Sequence, residues 1–357
     1  MDHGVSKGHG AELRETERER FFCGLGRTVV GPFLADLVRW LLARSQEDGV
    51  ERLYFLSRDA YLFYDAYRRA AVEEVPGTFP EARYLCVSRE SLGLCGASRR
   101  RAEEYRHCRS YLLQEGVSER CGIVDIGWHG SCAARISQLC GLQGGLYGYY
   151  FGYLGDAPQA RAYLGRGGSF LCESCVGLLE MLFREETGEE IRYEREGGRW
   201  VPRRTAAGHS GSDVLLHRMQ EEALETAGEC LRRNRSRRAA AAASTARLLR
   251  IGLFPTARER RILGALQMEE KGRCRPLAGP RTPGVYLLHP RLWMRDYHRS
   301  LWKCGFLADM GAGPAACLLW LVLRTSKRVL LYEAQTCYNI QDRKSCIGSL
   351  PLPGKHK

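Results

Sequence analysis

The sequence predicts an α/β protein: a Rossmann-like open, mostly parallel sheet with a helical C-terminal part. Three observations carry this. Short apolar runs rich in β-branched and aromatic residues (LYFL at 53–56, YLCV at 84–87, Ile123-Val124) are each followed by a polar turn and a helix-period segment. That alternation is the pattern of crossover units in a parallel sheet. Two of these runs end in a Ser-Arg-acid triplet, SRD at 57–59 and SRE at 88–90, and the third ends in DIGWHGS at 125–131. From about residue 206 the strand signals give way to helical, partly alanine-rich segments.

In chain order, residues 1–20 read as a hydrophilic, mobile tail. Residues 21–43 read as helical, with Gly31-Pro32 breaking or restarting the helix, since Pro32 suits a first turn. Phe33, Leu37, Trp40 and Leu41 then share one face, the spacing of a core helix. After strand 53–56, a helix from Ala60 buries Leu62, Phe63, Ala66 and Tyr67. Residues 99–114 form a helix with a polar face that leads into the central strand. Residues 133–139 form the next helix, 144–152 (GGLYGYYFG) a strand, and 160–164 another. GRGG at 165–168 reads as a flexible basic turn, without the strand–helix spacing of a phosphate-binding loop. Residues 176–183 are helical and carry Glu180 inside LLEMLF; a buried acid needs a partner, either a core arginine or a ligand in the site. Residues 191–193 and 199–201 pair as a hairpin through Gly197-Gly198. Helices follow at 214–232, 239–250, from Pro255-Thr256 to about 267, 292–302 and 315–323, with a Pro/Gly/Arg loop at 271–283. The expected organisation is a tail at 1–20, an α/β domain at 21–205, a mostly helical region at 206–345 and a second tail at 346–357.

The net charge of +13 permits an anionic partner, but charge alone selects none. The densest basic run, RRNRSRR at 232–238, lacks interleaved aromatics and a surrounding nucleic-acid module, so a nucleic-acid partner is not expected. Steep salt dependence of DNA or RNA binding would be its sign. The fifteen cysteines show no paired framework. A single C-x-x-C, Cys172 to Cys175, lacks the second pair of a zinc site and reads as a reduced structural pair. Residues 1–20 are polar and charged, unlike a signal peptide, and the longest apolar run, 315–323, is too short to span a bilayer. The expectations are therefore no membrane span and a cytoplasmic location.

Ligands of open α/β sheets bind beyond the carboxyl ends of the strands, where the three polar segments fall. Asp125, expected at the end of its strand, is the candidate general base or metal ligand, and Asp59 is its catalytic companion. Arg58 and Arg89 are placed to hold phosphate or carboxylate bidentately, with Ser88 beside them; the alternative for each arginine is an ion pair closing its own loop. Backbone N–H groups of Gly130 and Ser131, at a helix start, suit an anion. Trp128 would stack on a sugar or base, and Glu180 completes the substrate-binding set. His129 reads as a surface histidine rather than a proton carrier, and Ser131, outside any G-x-S-x-G, as a helix cap rather than a nucleophile. No cofactor is assigned; Mg²⁺ is the metal such a site would use.

The motifs YFLSRDAYLF at 54–63, YLCVSRESL at 84–92, VDIGWHGS at 124–131, GLYGYYFG at 145–152, LLEMLF at 178–183 and FPTARERRILGAL at 254–266 carry a resemblance. From about Gly26 to Leu266 the chain resembles the region that follows the phosphatase-like domain in haloacid-dehalogenase-superfamily (HAD) hydrolases of bacterial surface-polysaccharide and glycosyltransferase gene clusters. Two departures stand out. Ala60 replaces the glycine that usually follows Arg-Asp. The two aspartates, two apart, of a HAD nucleophile motif are absent from both Asp59-Ala60-Tyr61 and Asp125-Ile126-Gly127, so an aspartyl-phosphate mechanism is not implied. By analogy alone, a strand ending in Arg-Asp with a later Asp and glycine turn is also similar to phosphoribosyltransferases. The resemblance implies a hydrolase-like protein that handles a phosphorylated sugar or nucleotide-sugar in cell-surface polysaccharide biosynthesis, by phosphoester hydrolysis. The alternative is a non-catalytic module that partners a glycosyltransferase or HAD phosphatase.

Overall fold

Five parallel strands form one sheet in the order β2-β1-β3-β4-β5. They are β1 (Arg52–Leu56), β2 (Glu81–Leu85), β3 (Cys121–Trp128), β4 (Tyr147–Tyr153) and β5 (Ala160–Ala162). The computed structural model describes residues 6–73, 79–94, 99–187, 191–204, 211–233, 238–270, 273–280 and 283–311. The expected Rossmann-like α/β fold, with a helical C-terminal part, is the fold observed.

Helices cover both faces of the sheet because its strands are apolar on both. α2 (Gly31–Glu47) and α3 (Tyr61–Glu73) bury one face through Phe33, Phe63 and Tyr67, which pack with Phe55, Phe151 and Phe183. α4 (Arg99–Gln114) and α5 (Ser131–Cys140) cover the other, where Tyr54, Leu56 and Ile123 meet Tyr111, Leu112, Ala133 and Ile136. Tyr54 and Leu56 point one way and Phe55 the other, the period of two that a strand imposes. The first crossover from β1 runs to β2 on one side, and the next strand, β3, returns to the other side of β1. The strand order therefore reverses between β1 and β3, the topological switch point at which such sheets bind ligands.

Several local expectations are corrected. Part of the stretch expected to be a mobile tail is helical: α1 runs Ser6–Leu25, and its Glu17 pairs with Arg258 at 3.0 Å and its Glu19 with Arg218. At Gly31-Pro32 the expected restart is observed, with the chain helical on both sides. A π-helical turn, Gly26–Val30, joins α1 to α2, and Pro32 occupies the first turn of α2, where a missing N–H costs no bond. The helical stretch Thr16–Glu47 is long and apolar enough to cross a membrane, but 61% of its most apolar window is buried inside the protein, as in a core helix. GRGG is not a flexible turn; α6 (Arg166–Cys172) begins within it. α7 (Val176–Phe183) follows, then the hairpin β6 (Ile191–Glu196) and β7 (Arg199–Arg204). In the C-terminal part, the stretch expected as a loop at 271–283 contains β9 (Arg273–Pro276), antiparallel to β8 (Gln267–Glu270). The expected helix at 315–323 and the tail at 346–357 lie outside the described residues.

α8 (Gly211–Arg232) is stitched to the α/β part. Its Gln220 amide donates to the carbonyls of Leu182 (3.1 Å) and Arg184 (3.0 Å) at the end of α7. α9 (Arg238–Leu253) and α10 (Ala257–Leu263) follow, and the indole N–H of Trp302 donates to the Gly252 carbonyl at 2.6 Å. The described residues from Ser6 to Met310 belong to one compact unit.

Candidate functional site

The loops after β1 and β2 are tied together before they reach the site. The Ser57 N–H donates to the Leu85 carbonyl (3.0 Å), its hydroxyl donates to the Val87 carbonyl (2.9 Å), and the Val87 N–H donates back to the Ser57 hydroxyl (3.1 Å). A reciprocal pair closes the next turn: the Ser88 N–H donates to the Ser91 hydroxyl (2.9 Å) and the Ser91 N–H to the Ser88 hydroxyl (3.1 Å). Ser88 thus shapes the loop with the oxygen expected to contact substrate. Ser57, the first residue of the SRD triplet, holds the two loops at one height above the sheet.

β1 pairs with β3 only as far as Phe55 opposite Val124. β1 then turns away, leaving Asp125 beside a gap that the SRD and SRE loops rim. The result is a cleft of about 310 Å³ lined by Arg58, Asp59, Ser88, Arg89, Asp125 and Glu180, with Ser57, Glu90, Cys132, Ile191 and Arg204 among the other wall residues. Six of the nine candidate site residues therefore share one cavity, although they come from four separate segments of the chain.

Trp128, Gly130 and Ser131 do not line the cleft. β3 is longer than expected: it continues past Asp125 to Trp128, so Asp125 lies within the strand rather than at its end. The glycine turn and the start of α5 are carried beyond the cavity. Trp128 is 5% exposed, packed face to face with Phe151 and against Gly152, and its indole N–H lacks a hydrogen-bond partner among the described residues. It is a core residue, not a stacking platform. Gly130 is the N-cap of α5 in the left-handed conformation, with Ser131 at the next position rather than at the cap. Gly127 has φ of +102°, and a Cβ there would lie 2.3 Å from the Gly152 carbonyl oxygen; only glycine lets β3 pass β4 this closely. His129 is exposed, 4.0 Å from the Glu173 carboxylate.

Two carboxyl groups of the cleft lie well above the usual carboxylate range. Burial pushes the Asp125 carboxyl up to about 7, and the nearby Asp59 charge pushes in the same direction; the backbone N–H groups of Ile126 and Gly127, which hydrogen-bond the carboxylate, and the Arg89 charge oppose the rise. Burial likewise pushes Glu180 up to about 8, reinforced by Asp59 and Asp125 and opposed by Arg58 and Arg89. Both side chains are enclosed by protein yet reach solvent through the cavity. Carboxyl groups whose titration falls near neutrality can give or take a proton at working pH. The Cys132 thiol, in the same wall, is pushed up to about 12 by burial and Asp125, so it is an inert thiol.

The arginines differ. Arg58 Nε lies 3.4 Å from Asp59 Oδ1, and the Arg58 carbonyl accepts from the Glu185 N–H at 3.0 Å, so this loop is closed by its own ion pair and anchored beneath. Arg89 is exposed at the rim and has no ion-pair partner among the described residues. Among the described arginines that line the cleft, it is the one without an ion-pair partner. Arg204 was missed by sequence reasoning. It enters from β7, pairs with Glu185 at 2.5 Å and lies over the Tyr84 ring at 5.5 Å, walling one side of the cleft. Among the described residues, no group of three or more His, Cys, Asp or Glu is placed to hold a metal ion. The ten cysteines whose side chains are described are all free thiols.

No protein-family model matches this chain, and no curated protein matches it. The chemistry of the cleft accordingly rests on its own geometry: Arg89, without an ion-pair partner among the described residues, at the mouth, the two ion-paired arginines Arg58 and Arg204, and two enclosed carboxyl groups that titrate near neutrality beside a third.

Proposed function

We propose that the cleft at the β1/β3 switch point is an enzyme site for a phosphorylated sugar, or for the sugar-phosphate end of a nucleotide-sugar, and that it catalyses phosphoester hydrolysis in cell-surface polysaccharide biosynthesis. A cytoplasmic setting belongs to the same proposal. The observation that carries it is the meeting of Arg89 and Arg58 with Asp125 and Glu180 in one cavity. About 310 Å³ is at the small end of ligand pockets, the size of a monosaccharide phosphate rather than of a whole nucleotide-sugar. Arg89 would meet the phosphate and Arg58 would orient it. A neutral carboxyl at Glu180 would protonate the leaving oxygen, and Asp125 would take a proton from attacking water. The resemblance of FLSRDAYLF and VDIGWHGS to the HAD-associated region supports the same substrate class.

The test is calorimetric titration of the full chain with sugar phosphates and sugar nucleotides, together with phosphate release measured with and without Mg²⁺. Arg89→Ala is expected to weaken binding by about tenfold to a hundredfold, the worth of a charge-assisted contact. Asp125→Asn is expected to abolish turnover while leaving binding measurable. A wild-type chain that neither binds nor turns over any of these compounds ends the enzyme reading and leaves a non-catalytic module docking on a glycosyltransferase or phosphatase.

A further inference from the structure

Away from the cleft, the surface has an unusual corner. α11 (Pro283–Leu288) and α12 (Pro290–Arg299) meet at His289. Leu287 and Leu288 at this corner are 84% and 79% exposed, and Met294 on α12 is 50% exposed. Of the six strongly exposed large apolar side chains among the described residues, three fall within these eight positions. Isolated exposed leucines need no explanation, but a cluster does. Such high exposure means that the leucines project outward rather than line a groove.

The inner face of α12 is fully occupied. Trp293 stacks on Tyr297 at 5.2 Å, both rings pack on Phe306, and Tyr286 and Asp296 hydrogen-bond at 3.3 Å. The outer face carries Arg291, Met294, Arg295, His298 and Arg299, all exposed and spaced to share one side of a helix. Arg295 pairs with Asp296 at 3.0 Å, whereas Arg291 and Arg299 have no ion-pair partner among the described residues. Projecting leucines on a helix pair whose outer face is cationic are the pattern of a segment that lies in a bilayer interface, with leucines among the acyl chains and arginines at anionic headgroups.

We propose that the α11–α12 corner docks the protein peripherally on an anionic lipid bilayer. The charge selects this occupant. A second copy presenting the same face would oppose Arg291 and Arg299 to themselves, since an isologous contact pairs identical patches. The net charge of +13 disfavours self-association further and favours a negative surface. An interface that is both apolar and anionic satisfies the leucines and the arginines together.

Co-sedimentation of the full chain with vesicles tests this. Vesicles of phosphatidylcholine alone are compared with equal parts of phosphatidylcholine and phosphatidylglycerol, using wild type, Leu287→Ser/Leu288→Ser and Arg291→Gln/Arg299→Gln. The wild type is expected to bind the mixed vesicles and not the neutral ones. Each double substitution is expected to lower the partition by about tenfold or more, from lost apolar insertion or lost headgroup attraction. The leucine change preserves charge and touches exposed positions, so unchanged circular dichroism and melting establish that the fold is intact. Equal binding by the leucine variant would overturn the proposal, because general attraction to a +13 protein would then suffice. No binding by wild type would also overturn it. Self-association that is lost in the leucine variant, without vesicle binding, would assign the corner to a second copy instead.

Discussion

Replacing Asp125 by Asn should make this protein more stable at alkaline pH and have little effect at acid pH. The Asn oxygen can still accept the N–H groups of Ile126 and Gly127, so the loop keeps its hydrogen bonds, but it cannot ionise. In the folded protein the Asp125 carboxyl sits at about 7, against 3.8 ordinarily. The native state therefore holds a proton that the unfolded chain releases between those values. The contribution of Asp125 to wild-type stability is highest below the lower value, falls as pH rises towards the higher one, and is level above it. The rise from 3.8 to about 7, at about 1.36 kcal/mol per pH unit, sets a ceiling of about 4 kcal/mol on the cost of ionising Asp125 in place. Glu180, raised to about 8 partly by Asp125, relaxes when that charge is removed, which adds to the gain. Melting followed by calorimetry at about pH 5 and about pH 8.5 should show the variant gaining roughly 5 °C or more over wild type at the higher pH only. An equal difference between variant and wild type at the two pH values would refute the account of an enclosed carboxyl. On the proposed enzyme reading, a carboxyl that costs stability is the expected trade-off.

Two further outcomes test the frame around the cleft. Gly152→Ala would put a Cβ 1.4 Å from Cζ3 of the buried Trp128, so it should cost about 1–3 kcal/mol or more in urea unfolding, and Trp128→Phe in the same chain should restore part of the loss. Thr256→Ala removes the capping box of α10, in which the Thr256 hydroxyl accepts from the Glu259 N–H and the Glu259 carboxylate accepts from the Thr256 N–H; a loss of about 1 kcal/mol is expected from the same measurement, with the cleft unaffected.

Much of the site was legible in local sequence because its chemistry is local. Ser57-Arg58-Asp59 and Ser88-Arg89-Glu90 follow short apolar runs, and in a parallel sheet the carboxyl ends of neighbouring strands share one edge. Parallel pairing thus brings the two triplets together without any knowledge of strand order. Glu180 was legible for a different reason: an acid flanked by Leu178, Leu179, Met181 and Leu182 has to face something other than apolar core. Arg204 could not be found this way. It lies in a hairpin whose position is set by Tyr193, which donates to the Cys86 carbonyl at 2.9 Å, and by Gln114, whose amide holds the Trp200 backbone. Trp128 misled because an aromatic next to a glycine turn has the same local pattern whether it faces a ligand or a neighbouring strand.

By itself the sequence determined the alternation of strand, polar turn and helix, and hence the class of sheet and the edge at which the candidate site residues collect. Local periodicity and turn chemistry suffice for that. Only the tertiary structure decided that β3 lies beside β1 with β2 on its far side, that Asp125 sits in the gap where β1 stops pairing, and that Trp128 packs onto Gly152 rather than onto a ligand. Those outcomes depend on which strands become neighbours and how far each one runs, and long-range packing settles both.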